Sequence, residues 1–375
     1  MNRRGFLRGT AGIGAVGAAG LAGCLERLGF EEESAWANPP LVENRPDAVY
    51  LPSSREEMRS YGMAADGDYA VALSYTFPHR FWLVNGDETE LVEVSTDDSL
   101  HLMTTVWDRE TRTVLPVDMQ LEIRQDGSPI DDGISSPWPM ISQRMGFHYG
   151  DNVRLPGEGE YTVRVRSGPV GGDLERTGGF EGRLESQGSL EVDFEYTRSD
   201  INDLSFQTID ENRWGDEGAL SLMDHGDGGD HESGHGDGDV GPPPMGQAPA
   251  LEDLPGESLG TERSGDAAFA ALVTDADRFA DGGSYLAVSP RTPYNDVLIP
   301  LTSLSATVER DGTVVGEGSL AQALDDELGY HYGLAVDELA TGDRVTVTVD
   351  APPQVSRHDG YETAFFEFED ITYTV

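Results

Sequence analysis

Eight His, nine Met and a single Cys are the residues best suited to chemistry in this chain. His101 and Met103 lie two apart in the apolar run Leu100 to Trp107. A strand there turns both side chains to one face. Downstream, Pro139-Met140 and Met145 lead into His148. Imidazole and thioether together make a soft donor set, suited to copper and above all Cu(I), and poor for Mg or Ca. Each methionine taken alone also fits core filling, and His148 also fits a structural histidine bonded to backbone. His225, His231 and His235 fall within an Asp/Gly-rich tract, where they either capture metal loosely or are incidental to an acidic spacer. His79, among Phe77, Pro78, Phe81 and Trp82, reads as packing or a surface loop. The only thiol, Cys24, excludes an intramolecular disulfide, a zinc ribbon, an iron–sulfur cluster and a blue-copper site. No paired catalytic carboxylates, Ser–His–Asp spacing or phosphate-binding Gly loop stands out, so the pattern favours binding over catalysis.

The elements that must position these residues are short. Alternating runs such as Tyr69 to Tyr75, Glu90 to Val94, Leu100 to Trp107, Met119 to Ile123, Tyr161 to Arg166 and Leu190 to Tyr196 are cut by turn signals such as Asp126-Gly127. No segment carries a helical period of helical length. The expectation is all-β: a β-sandwich of about seven strands over 47–198, a low-complexity linker over 199–262, and a second sandwich over 263–375. The two patterned stretches match in order. Leu100 to Pro116 sets against Ser284 to Pro300. Met119 to Gly127 sets against Leu304 to Gly312, and Gly146-Phe147-His148-Tyr149-Gly150 against Gly329-Tyr330-His331-Tyr332-Gly333. This reads as a tandem copy.

These segments resemble the periplasmic iron-transport protein family that includes the pathogen-specific membrane antigens. His101-Leu102-Met103 looks like the family's His-x-Glu pair with Met in the acidic position. Pro139-Met140 looks like its Pro-Met, and His148-Tyr149-Gly150 like its His-Tyr-Gly. The resemblance implies immunoglobulin-like sandwiches, exported and often lipid-anchored, that bind copper and iron near a dimer interface and serve a membrane iron permease. It also implies a final His, which the first copy lacks and which His358 supplies in the second. The second copy keeps His331 but has Tyr285 and Ala287 where the first has His101 and Met103. His331 and His358 are therefore either remnants or ligands. If the two copies pair as an intramolecular pseudo-dimer, one composite site would draw on His101, Met103, Met140, His148 and His358, with Met145 and His331 auxiliary.

The N-terminus carries Arg3-Arg4, a Gly/Ala-rich stretch and Leu21-Ala22-Gly23-Cys24. This reads as a twin-arginine lipoprotein signal over 1–23, lipidation of Cys24, and a tether over 24–46. The protein is then expected outside the cytoplasmic membrane, held by its lipid. The net charge is −44, with 69 acidic residues spread along the chain, as in extreme halophiles, and every one of the 25 basic residues is Arg. That balance excludes a nucleic-acid surface. The expected function is metal binding for iron or copper uptake. The competing readings are a structural cell-surface protein and a copper-dependent ferroxidase. Imidazole must be neutral to coordinate, so release of the ion at mildly acidic pH is expected.

Overall fold

The computed structural model describes Val42 and residues 49–172, 174–214, 221–223, 240–280 and 282–375. The lipidation site Cys24, the 1–23 signal, most of the tether and His225, His231 and His235 lie outside the described residues. Among the described residues no helix is long and apolar enough to cross a membrane.

The chain is mostly β and forms several sheets, as the alternating runs lead one to expect. The first half contributes β1 (Ser54–Glu56), β2 (Arg59–Asp66), β3 (Tyr69–Thr76), β4 (Phe81–Asn85), β5 (Glu88–Val92), β6 (Leu100–Asp108) and β7 (Met119–Gln125). It continues with β8 (Ser128–Ser135), β9 (Trp138–Ser142), β10 (Gly146–Val153), β11 (Gly159–Ser167), β12 (Leu174–Arg176), β13 (Gly188–Tyr196) and β14 (Phe206–Thr208). The second half contributes β15 (Glu257–Ser264), β16 (Ala267–Thr274), β17 (Ser284–Arg291), β18 (Ser303–Arg310) and β19 (Thr313–Ser319). Then follow β20 (Ala321–Asp325), β21 (Gly329–Val336), β22 (Arg344–Ala351), β23 (Ser356–Arg357) and β24 (Ile371–Thr374). The first half is richer in strands than the seven expected from sequence: β1, β12 and β14 are only three residues long, too short for any periodicity to mark, but the longer strands also outnumber the expectation. Within the stretch 199–262, β14 pairs with β1 and β15 with β16.

An eight-stranded sheet runs β2-β3-β6-β10-β9-β23-β4-β5 and a four-stranded sheet runs β13-β11-β7-β8. In the second half a six-stranded sheet runs β12-β20-β21-β17-β16-β15 and a four-stranded sheet β19-β18-β22-β24. Each four-stranded sheet contains a tight hairpin, β7–β8 turning on Asp126-Gly127 and β18–β19 on Asp311-Gly312. All four of these residues have positive φ, which a two-residue primed turn demands.

The strand orders correspond when one is read backwards, and the correspondence extends to a reciprocal exchange. β23, from the second half, lies parallel to β9 of the first, while β12, from the first half, lies parallel to β20 of the second. Each exchanged strand falls between the last two long strands of its own half.

The centre of the eight-stranded sheet is buried on both faces, β6 along its whole length. Leu102, Ile141, Phe147 and Tyr149 turn to the main core, which draws on both halves. Tyr149 carries its hydroxyl through that core to the β6–β7 connection, where it donates to the Val117 carbonyl and accepts from the Val117 amide, both at 2.6 Å. Tyr332 repeats the device, accepting from the Thr302 amide at 2.8 Å. Replacing Tyr149 with Phe leaves both polar groups of buried Val117 without this partner. The expected loss is about 1–3 kcal/mol, read from urea midpoints at unchanged far-UV circular dichroism. An unaltered midpoint would contradict this role.

Candidate metal centre

The opposite face of the same strands carries the donors. In antiparallel ladders, residues directly opposite share a face. Met103 opposes Gly150, His101 opposes Asn152, and His148 opposes Met140. With the two-residue alternation of a strand, His101, Met103, Met140, His148, Gly150 and Asn152 fall on one side. The side chains of His101, Met103, Met140 and His148 are all buried there. The motif His-Tyr-Gly thus divides its labour: His148 faces the donors, Tyr149 the core, and Gly150 leaves space.

Two further histidines arrive from elsewhere. The connection from β3 to β4 delivers His79, whose ring lies 3.9 Å from that of His101 at an interplanar angle of 32°. The exchanged strand delivers His358. Ser356 pairs with Met140, and the His358 amide bonds the Ile141 carbonyl at 3.4 Å. The loop behind it folds around the Arg357 guanidinium, which is fully buried and donates to the backbone carbonyls of Pro353, Val355 and Ala364. Arg80 then fixes the adjacent Asp359 with two bonds, at 3.1 and 3.3 Å.

Each imidazole of the first half is tied at Nδ1, which directs Nε2 inward. His101 Nδ1 bonds Asn152 Oδ1 at 2.9 Å, and His148 Nδ1 bonds the Gly146 carbonyl at 3.0 Å. His79 Nδ1 meets the Phe77 carbonyl and Glu56 Oε2, both at 3.2 Å. Asn152 serves twice, since its amide nitrogen also donates to the His79 carbonyl at 2.9 Å. The Nε2 atoms of His79 and His101 are buried without a hydrogen-bond partner. Leaving such an atom unpaired costs about 1–3 kcal/mol. His148 Nε2 and His358 Nε2 face each other at 3.1 Å. Ring nitrogens of His79, His101 and His358 all lie within 4.8 Å of one another.

This arrangement fits a metal ion. An ideal Cβ on Gly150 would sit 2.7 Å from His101 Nε2 and 3.0 Å from Met140 Sδ, so the cradle between them exists only because residue 150 has no side chain. Imidazole with thioether favours a soft ion. Metal–imidazole bonds of about 2.0–2.1 Å for zinc and its neighbours place a ring centroid about 3.2 Å from the ion and two tetrahedrally related rings about 5 Å apart. His148 and His358 lie 5.1 Å apart and His101 and His358 5.7 Å apart. On these separations His101, His148 and His358, with Met140 beside Gly150, can serve together as an inner set.

Met103 belongs to the same face but lines a cavity of about 80 Å³ that also touches His79, His358, Glu56, Met58 and Asp359. Met145 is buried in the β9–β10 turn, where its amide bonds Ser142 Oγ at 3.1 Å. His79, which the sequence pattern assigns to packing or a loop, stands within the donor cluster; a single His in an aromatic turn gave no sign of it.

The corresponding place in the second half is closed. Ala287 opposes Gly333 as Met103 opposes Gly150, and Ala323 opposes His331 as Met140 opposes His148. On the exchanged strand Glu175 pairs with Ala323 as Ser356 pairs with Met140, which puts Thr177 in the position of His358. Tyr285, in the place of His101, fills the space: an ideal Cβ on Gly333 would lie 1.6 Å from its hydroxyl oxygen. That hydroxyl meets His331 Nε2 at 3.1 Å. His331 is thus placed apart from the donor cluster.

Burial lowers the pKa of His148 and of His331 to about 4, and pushes His101 and His358 well below the usual value, with neighbouring imidazoles adding to the effect for the last two. For His79 burial acts the same way, but the Glu56 carboxylate outweighs it and the pKa rises. These directions run against release at mildly acidic pH, since burial favours neutral imidazole at His101, His148 and His358, and only His79 is favoured as the cation.

Stability follows the same shifts. Between about pH 6.5 and about pH 4 the unfolded chain binds protons that folded His148 and His331 refuse, so apo-protein stability falls as pH drops through that window, by the order of 3 kcal/mol for each at most. His79 acts oppositely, contributing below its unfolded pKa and losing that contribution as pH rises through its folded one. Urea titrations across pH 4–7 should show the fall, and His148→Gln should flatten it. Replacing Gly150 with Ala should abolish tight metal binding while the fold persists. Full binding by that variant, measured by isothermal titration, would refute the cradle.

Comparison with known proteins adds the following. Residues 252–374 match a family described as a domain of unknown function (DUF7350). No curated protein matches the chain. Among solved structures, FetP of uropathogenic E. coli, as isolated, is 16% identical with a TM-score of 0.27, over 38% of this chain and 97% of that one. A copper-bound variant of the same protein is 17% identical with a TM-score of 0.29, over 38% of this chain and 98% of that one.

Proposed function

We propose that this is an extracytoplasmic, lipid-anchored metal-binding protein that carries copper, iron or both for uptake. The observation that carries the reading is the convergence of His101, His148, His358 and Met140, with Met103 beside them, around the space that Gly150 leaves open. Two desolvated Nε2 lone pairs at that place have no protein partner, and a soft ion is what such donors accept.

The chain acts, on this reading, as two immunoglobulin-like sandwiches related by duplication and paired as an intramolecular pseudo-dimer. The matched strand orders and the reciprocal exchange of β12 and β23 support it. The first sandwich holds the ion, and the second lends His358. Binding and hand-over to a membrane iron permease, rather than catalysis, is the proposed role. The resemblance of the His-x-Met, Pro-Met and His-Tyr-Gly segments to the iron-transport family supports it, as do the twin-arginine pattern and Cys24 for the anchored location. The His225, His231 and His235 tract would gather ions loosely for the folded site.

Elemental analysis and titration of the full chain test the reading. One tightly held copper or iron per chain is expected, and His358→Ala should weaken it by roughly 10-fold to 100-fold, the scale on which a supporting group matters, or more. Absence of a stoichiometric ion in the wild type would favour a structural surface protein instead. Multiple turnovers of Fe(II) oxidation by the loaded protein would make it an enzyme.

A further inference from the structure

The donor cluster is not uniform in depth. The cavity of about 80 Å³ is lined by His79, Met103 and His358, whereas His101, His148 and Met140 do not line it. Its rim carries the Glu56 and Asp359 carboxylates and the Met58 thioether. An ion arriving by this vestibule meets His79, Met103 and His358 first, and only behind them the inner set.

Ring geometry separates the same two groups. Two imidazoles bound to one ion at a right angle would have centroids about 4.5 Å apart, and more at a tetrahedral angle. His79 and His101 lie only 3.9 Å apart, tilted by 32°. Their ring nitrogens lie within 4.8 Å of each other and of His358, but binding one ion together would require the two rings to move apart. Yet His79 is built to bind: its Nδ1 is occupied by Glu56 and Phe77, its backbone is clasped by Asn152, and its Nε2 is buried and unpartnered. His79 lies 4.9 Å from His358, a separation that two ligands of one ion can share.

We propose that His79 and Met103, with His358 shared, form an outer station on the ion's path, distinct from the inner set of His101, His148, His358 and Met140. The ion is a soft monovalent cation such as Cu(I), because the station offers thioether and imidazole while its carboxylate is spent on His79 Nδ1. His358 passes from one set to the other by virtue of its place between them, with rings 4.9 Å from His79 and 5.1 Å from His148. The proposal rests on the metal-carrier reading and adds to it a route.

The test is loading of the full chain with Cu(I) supplied from a bidentate Cu(I) chelator, followed by stopped flow and by equilibrium competition. His79→Asn should slow loading roughly tenfold, within the range over which association rates vary among variants of one site, and should weaken the tight equivalent less than His358→Ala does. Met103→Leu, which nearly conserves volume, should slow loading in the same sense, and His79→Met should restore part of the rate. Wild-type loading by His79→Asn, or loss of the tight equivalent in that variant, would overturn the outer station. Failure of the wild type to hold any tight ion would instead overturn the carrier reading itself, so the two failures are told apart.

Discussion

A buried guanidinium held by backbone carbonyls governs the donor cluster. Arg357 is fully buried, and burial lowers its pKa to about 9. Its hydrogen bonds run to the backbone carbonyls of Pro353, Val355 and Ala364, and the rings of Phe365 and Phe366 lie beside its charge. The bond fan and the planarity of the group suit Arg and no other side chain. Taking such a charge from water is expensive, and the loop that wraps it is what repays the expense. That loop is also what projects β23 across to β9. The position of His358 is thus fixed two steps away, by carbonyls that surround its neighbour.

The same frame exists twice, and only one copy carries donors. Arg176 occupies on β12 the place that Arg357 holds on β23, and it too bonds a backbone carbonyl, that of Arg183, at 2.7 Å. Beyond it stands Thr177, which donates to Asp325 at 2.8 Å, while Arg278 holds Asp325 with two bonds. Tyr285 and Ala287 close what His101 and Met103 open. The second half has a polar lock where the first has donors, and its exchanged strand serves the other half. A metal centre shared between two similar units needs only one working side, provided that the exchange of strands is kept on both.

Much of this was legible in the chain. The period-two placement of His101 and Met103 and the repeated His-Tyr-Gly each have a local signature. His148 and Met140 come together because the strands that bear them are neighbours in sequence. What was hidden is non-local. His79 joins the cluster through a turn whose direction is set by Asn152, 73 residues away. The two- and three-residue strands β23 and β12 are too short for any pattern, yet they are the strands exchanged between the halves. Desolvation was equally invisible: the depressed pKa of His148 depends on what covers it, and composition does not state that.

Charge and donor type can now be set against each other. The chain has 69 acidic residues, and exposed carboxylates offer hard cations many weak, screened encounters. A site built from carboxylates would be only one among these. The inner donors are instead imidazoles and a thioether, buried apart from the half-buried His358, with Glu56 held against His79 Nδ1 rather than presented as an inner ligand. Hard ions lose their hydration on entering such a place and gain little from sulfur, whereas a soft ion gains most where water is absent. Depth and softness act together, so discrimination does not require that the acidic surface be kept free of other cations. It requires only that the cradle at Gly150 remain too dry and too poor in oxygen for them.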